Sequence, residues 1–128
     1  MRKFEEPLEV KKGVTQSKWF RLTAGPNNEI VDMSAAEFRT DLKYKIGGIV
    51  ITTLTSQNGG FNLSDPEFVE MVLNEATLDL VTVDTNMDVL FPFTDVVFDI
   101  EYRYNSSGPW YPFLMGVLRV VEEGTSSN

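Results

Sequence analysis

Charged and apolar residues alternate from Glu37 to Ile46. Glu37, Arg39, Asp41, Lys43 and Lys45 are charged; Phe38, Leu42, Tyr44 and Ile46 are apolar, with Thr40 as the neutral member of that second set. A period of two marks a β-strand with one face in a core and the other in water, which places the chain among antiparallel sheet proteins. Residues 94–104 repeat the pattern, with Val96, Phe98, Ile100, Tyr102 and Tyr104 on one face and Asp95, Val97, Asp99, Glu101 and Arg103 on the other.

The remaining elements are read around these two. Residues 10–22 form a first strand region interrupted at Gly13 by a bulge or bend, with Trp19-Phe20-Arg21-Leu22 as its buried end. Gly25-Pro26-Asn27-Asn28 is a turn, and Ile30-Val31-Asp32-Met33 a short edge element. Gly47-Gly48 predicts a two-residue hairpin leading into a β-branched strand over 49–55, and Asn58-Gly59-Gly60 another tight turn before a short strand at 61–63. Ser64-Asp65-Pro66-Glu67 has the form of a helix start, but strand is the preferred reading of 67–73. One helical turn is predicted over 75–80, then an acidic, irregular connection over 81–93. The last strand, 110–121, is apolar on both faces: Phe113, Met115 and Val117 on one, Leu114, Leu118 and Val120 on the other. Either it is central and covered on both sides, or its outer face meets another subunit.

Seven or eight short strands separated by turn signals predict an all-β, immunoglobulin-like antiparallel sandwich with at most one short helix, or failing that a barrel. The expected organisation is an extended arm over 1–9, the sandwich over 10–123 and a polar tail over 124–128.

Composition narrows the chemistry. The 128 residues contain neither cysteine nor histidine, which removes disulfides, thiolate metal sites and His-activated nucleophiles. The net charge of −8, with no basic cluster longer than the Lys11-Lys12 pair, opposes a nucleic-acid partner. Arg2-Lys3-Phe4-Glu5-Glu6 lacks the apolar core of a secretory signal, and no apolar run approaches the length that spans a bilayer. A soluble product with no membrane partner is expected.

Asp84, Asn86 and Asp88 take the first three ligand positions of a calcium loop, with Asp95 at the twelfth. Val89 stands where that loop needs glycine, and the flanks read as strand, so a solvated acidic loop is expected. Glu67, Glu70, Glu75, Asp79 and Asp99 supply carboxylates for glycoside chemistry, but no spacing selects a pair. No enzyme activity, no cofactor, no metal and no small-molecule ligand are expected. The Asn62-Leu63-Ser64 and Asn105-Ser106-Ser107 sequons carry no weight without an export signal. Trp110, Tyr111 and Phe113 gather at a loop–strand junction, where flat rings serve protein interfaces or sugars, or simply close the end of the sandwich.

One resemblance extends this reading. Gly13 and Trp19-Phe20-Arg21-Leu22 come first, then Asn27-Asn28-Glu29-Ile30-Val31-Asp32-Met33-Ser34, then the alternating strand over 38–45. Phe98-Asp99-Ile100-Glu101-Tyr102, Ser107-Gly108, Leu114-Met115-Gly116-Val117-Leu118-Arg119-Val120 and Thr125 complete the series. Over residues 10–125 this order resembles small phage virion proteins, among them the N-terminal domains of some baseplate and tail-fibre-carrying proteins. The chain departs from it in the long acidic 81–93 connection and in the prolines at 109 and 112. The resemblance implies an immunoglobulin-like sandwich acting as a structural adaptor in the tail, baseplate or tail-fibre attachment site. It transfers no functional residues.

The expected function is therefore assembly in a virion, after synthesis in the host cytoplasm, with other virion proteins and copies of itself as partners. The alternatives are a capsid decoration protein and a carbohydrate-binding module. The residues expected at interfaces are Phe4 and Pro7 of the arm, with Trp110, Tyr111, Phe113, Met115 and Val117 of the last strand.

Overall fold

The computed structural model describes residues 2–3, 6–84, 86 and 88–122. Among these the chain is all-β apart from one short helix. In order, the strands are β1 (Arg2–Lys3), β2 (Leu8–Lys11), β3 (Gln16–Phe20), β4 (Leu22–Ala24), β5 (Glu29–Val31), β6 (Glu37–Lys43), β7 (Val50–Thr55), β8 (Phe61–Asn62) and β9 (Val69–Leu73). Helix α1 (Glu75–Asp79) follows, then β10 (Phe93–Arg103) and β11 (Tyr111–Val121).

The strands form two facing sheets and a small hairpin. The large sheet runs β1-β11-β10-β6-β7, with β2 also on the free edge of β11; the second runs β3-β9-β8, and β4 pairs with β5. Strands β6, β7, β10 and β11 pair antiparallel, whereas β1 and β2 run parallel to β11. Part of the expected arm is thus strand in the large sheet, with Arg2 opposite Leu114 and Leu8 opposite Leu118.

The core follows from the alternation. Phe38 and Leu42 of β6, Val96, Phe98 and Ile100 of β10, and Leu118 and Val120 of β11 are buried. Phe20, Phe61, Val69, Met71 and Leu73 meet them from the second sheet. Ring contacts between Phe20 and Phe98 at 6.4 Å and between Phe38 and Phe61 at 5.7 Å tie the layers together, and burial of such rings supplies most of the driving force. Helix α1 is as short as predicted. Asn74 caps it, accepting the Thr77 N–H at 2.7 Å, and its buried Leu78 closes the end of the core. Strand was the correct reading for β9.

Several local expectations are corrected. The first strand region is three strands, because the chain turns at Gly13 (φ +90°) and crosses from the large sheet to the second. Gln16 fastens that turn by bonding both the N–H and the C=O of Lys11. Trp19 is not part of a buried end: it faces outward from the second sheet and is 58% exposed. The alternation of β6 stops at Lys43, leaving Tyr44 and Ile46 in a loop. Gly47-Gly48 is therefore not a two-residue hairpin. The connection spans 44–49, with Gly48 N–H bonded to Lys45 O and Gly47 at φ +75°. Ser64-Asp65-Pro66-Glu67 forms a turn rather than a helix start, with the Glu67 N–H on the Asp65 carboxylate.

A β-bulge interrupts the alternation of the last strand, whose outer face remains apolar at Met115 and Val117. Its register against β10 shifts between Ile100 and Glu101, so that Ile100 faces Leu114 and Glu101 faces Pro112. Phe113 and Leu114 consequently both enter the core. Phe113 therefore does not share a face with Met115 and Val117.

Gly60 joins the two sheets. It donates to Thr55 O and accepts from Val72 N–H, and a Cβ there would lie 2.5 Å from Leu54 Cβ and 2.8 Å from Leu54 Cα. Gly60→Ala is expected to lower stability by about 1–3 kcal/mol through overpacking, measured by urea denaturation. An unchanged midpoint would show that the corner relaxes freely.

Candidate functional site

The outer face of the large sheet collects the residues that alternation turns away from the core. Arg39, Asp41 and Lys43 of β6 stand beside Val97, Asp99 and Glu101 of β10, and these beside Met115 and Val117 of β11. They line a groove of about 580 Å³, together with Ile46 and Gly47 of the following loop. Its floor is apolar, from Val97, Met115, Gly116 and Val117, and its walls carry charges of both signs.

The pairing of β6 with β10 is interrupted within the groove. The β6–β10 register pairs Phe98 with Leu42 and next pairs Glu101 with Arg39. Between these points the Asp99 N–H donates to the hydroxyl of buried Thr40 at 3.0 Å. Asp41, facing Asp99 across this gap, accepts from the Thr53 hydroxyl at 2.7 Å. The Asp99 carboxyl is raised above its ordinary value of 3.8, first by partial burial and then by Glu101, with Lys43 acting in the opposite direction.

Ion pairs cross the face. Arg39 bonds Glu101 at 3.0 Å, Arg103 bonds Glu37 at 3.1 Å, and Arg119 grips both oxygens of Asp95 at 2.9 and 3.1 Å. Hydrogen bonding to Asp95 raises the Arg119 guanidinium above its ordinary range. Asp95, the twelfth position of the calcium pattern, is thus engaged by a cation. Thr85 and Met87 of that segment lie outside the described residues, and among the described residues no group of three or more acidic side chains is arranged to hold a metal.

Trp110 stands at the far end of the face. The guanidiniums of Arg39 and Arg103 lie 4.0 and 4.3 Å from its ring, a double cation–π contact that holds the half-buried indole on the sheet. On the core-facing side of β10, Tyr102 packs on Tyr104, Tyr111 and Phe113. Tyr104 donates its hydroxyl to Met33 Sδ at 3.1 Å.

The expected interface residues divide accordingly. Met115 and Val117 lie together in the groove, half-buried. Trp110 joins them through Arg39, which lines the groove and contacts the indole. Tyr111 is half-exposed at the end of β11. Phe113 is in the core, its ring edge-on to Phe38 at 5.2 Å. Pro7 is half-buried just before β2, and Phe4 lies outside the described residues. Sequence reasoning missed Arg39, Lys43 and Ile46, and singled out Asp99 only as one of several unpaired carboxylates. The parity of Arg39, Lys43 and Asp99 was visible, but nothing in the sequence marked the interrupted pairing of β6 with β10.

No family model matches the chain, and no curated protein matches it.

Trp110→Ala is expected to cost about 1–2 kcal/mol by removing both cation–π contacts, read as a lower urea midpoint; a change within error would mean the ring is passively placed. A raised carboxyl stabilises the fold fully below 3.8, and that contribution is lost as pH rises through the folded value. Asp99→Asn should therefore match the wild type in acid and exceed its stability at pH 7. Equal stability at both pH values would contradict the assigned environment.

Proposed function

We propose that this protein is a phage virion structural component, an adaptor of the tail, baseplate or tail-fibre attachment site that works by protein–protein assembly. The observation that carries the reading is the groove on the outer face of the large sheet. An apolar floor framed by alternating charges has the composition of a surface that packs against another protein. Met115 and Arg39 line it, and Trp110 with Arg103 adjoins it through Arg39, residue types that are enriched at interfaces.

We also propose an immunoglobulin-like topology for the sandwich. The orders β3-β9-β8 and β11-β10-β6-β7 follow the B-E-D and G-F-C-C′ arrangement of that fold. The parallel pairing of β2 with β11 adds a first strand beside the last. The order of turns and strands that resembles small phage proteins supports the same placement in a virion. The absence of histidine and cysteine from the sequence is consistent with a role that needs no proton transfer or thiol chemistry.

An antibody raised against the purified chain should label the tail tip or fibre junction of intact phage particles in negative-stain images. Label spread over the capsid would move the protein to the decoration class. Particles without label, together with glycan binding that Trp110→Ala abolishes, would replace the virion reading with a carbohydrate-binding one.

A further inference from the structure

We propose that the outer face of the large sheet is a two-fold interface between copies of this chain, each copy setting its 44–49 loop on Val97, Met115 and Val117 of the other. The inference rests on the assembly reading above and names the occupant of its groove.

The face carries both a knob and a hole. Ile46 is 79% exposed and Ile49 is 89% exposed, and the stretch from Ile46 to Ile49 holds no charge. Ile46 and Gly47 line the same groove as Val97, Met115, Gly116 and Val117, so the protruding aliphatic loop adjoins the apolar floor. A surface with both parts side by side is complementary to its own two-fold image, and such an isologous contact closes at two copies. The knob is also preformed. Gly48 N–H bonds Lys45 O at 3.0 Å, and the Tyr44 hydroxyl accepts the Thr82 N–H at 2.9 Å, anchoring the loop to the chain beyond α1. A fixed loop loses little freedom on binding.

Charge selects the same face. Two copies of a molecule with net charge −8 repel wherever their acidic surfaces meet. On the outer face the pairs Glu37–Arg103, Arg39–Glu101 and Asp95–Arg119 cancel. Asp41, Asp99 and Lys43 then leave β6, β7, β10 and β11 with a net −1 on this side. The face is thus close to neutral in an acidic molecule, and its mixed signs allow Lys43 of one copy to meet a carboxylate of the other.

Sedimentation equilibrium of the full chain at micromolar concentration should give the mass of two copies. Ile46→Lys and Val117→Lys should each weaken association by at least about tenfold. Trp19→Ala, on the opposite sheet, should leave it unchanged. Ile46 is an exposed loop residue, so its substitution tests the contact without threatening the fold. The chain lacks cysteine, so a double Ile46→Cys and Val117→Cys variant should oxidise to covalent dimers and stop there. A ladder of higher species would replace the two-fold contact by a head-to-tail one. A monomeric wild type would overturn the inference. If that monomer still enters phage particles, and Val117→Lys blocks entry, the assembly reading stands with another occupant. If Val117→Lys enters normally, the assembly reading of the groove falls as well.

Discussion

Strand β10 is the element on which the structure depends. It is paired along both edges, with β11 over most of its length and with β6 through Val97, Phe98 and Glu101–Arg103. Its inward residues Val96, Phe98 and Ile100 fill the middle of the core, where Phe98 reaches Phe20 of the second sheet. Its outward residues Asp95, Asp99, Glu101 and Arg103 supply one partner of each ion pair on the outer face and one wall of the groove. A register slip by one residue would exchange these two sets. The same backbone constraint therefore fixes both the core and the proposed working surface.

That constraint explains what was legible in the sequence. Strict alternation in 37–43 and 94–103 gave the two central strands and their faces, because one face buries aromatic and aliphatic side chains and the other is charged. The short run over 75–80 was read as one helical turn, and α1 lies within it. The alternation failed to describe β11, where a bulge turns Phe113 and Leu114 both inward. A bulge depends on pairing with the neighbouring strand, so a single strand's pattern does not reveal it. Trp19 was misplaced for a related reason. Its position next to Phe20 suggested burial, but which of two adjacent residues faces the core is set by the register with β9.

The candidate site was legible only in part. Met115 and Val117 stood out as apolar residues on a face where polar ones were expected, and they lie in the groove. Arg39 and Lys43 looked like ordinary solvated strand residues, and Asp99 like one carboxylate among many. What distinguishes them is tertiary: the interrupted pairing of β6 with β10, bridged by the Thr40 hydroxyl, and the indole of Trp110 drawn onto Arg39 and Arg103 from a loop some seventy residues beyond the first of these. Of the exposed isoleucines of the 44–49 loop, Ile46 was hidden by an alternation that continues through it and Ile49 by the β-branched run it begins. In the structure the strand ends at Lys43, and freedom from the sheet turns Ile46 and Ile49 outward.

The account assigns the work of the molecule to the outer face of its large sheet. Hydroxyl-radical footprinting tests this directly by comparing the free chain with its assembled form. The account predicts strong protection of Met115, Ile46 and Ile49 on assembly, with Trp19 on the opposite sheet labelled equally in both states. Protection of Trp19 with Met115 unchanged would contradict it.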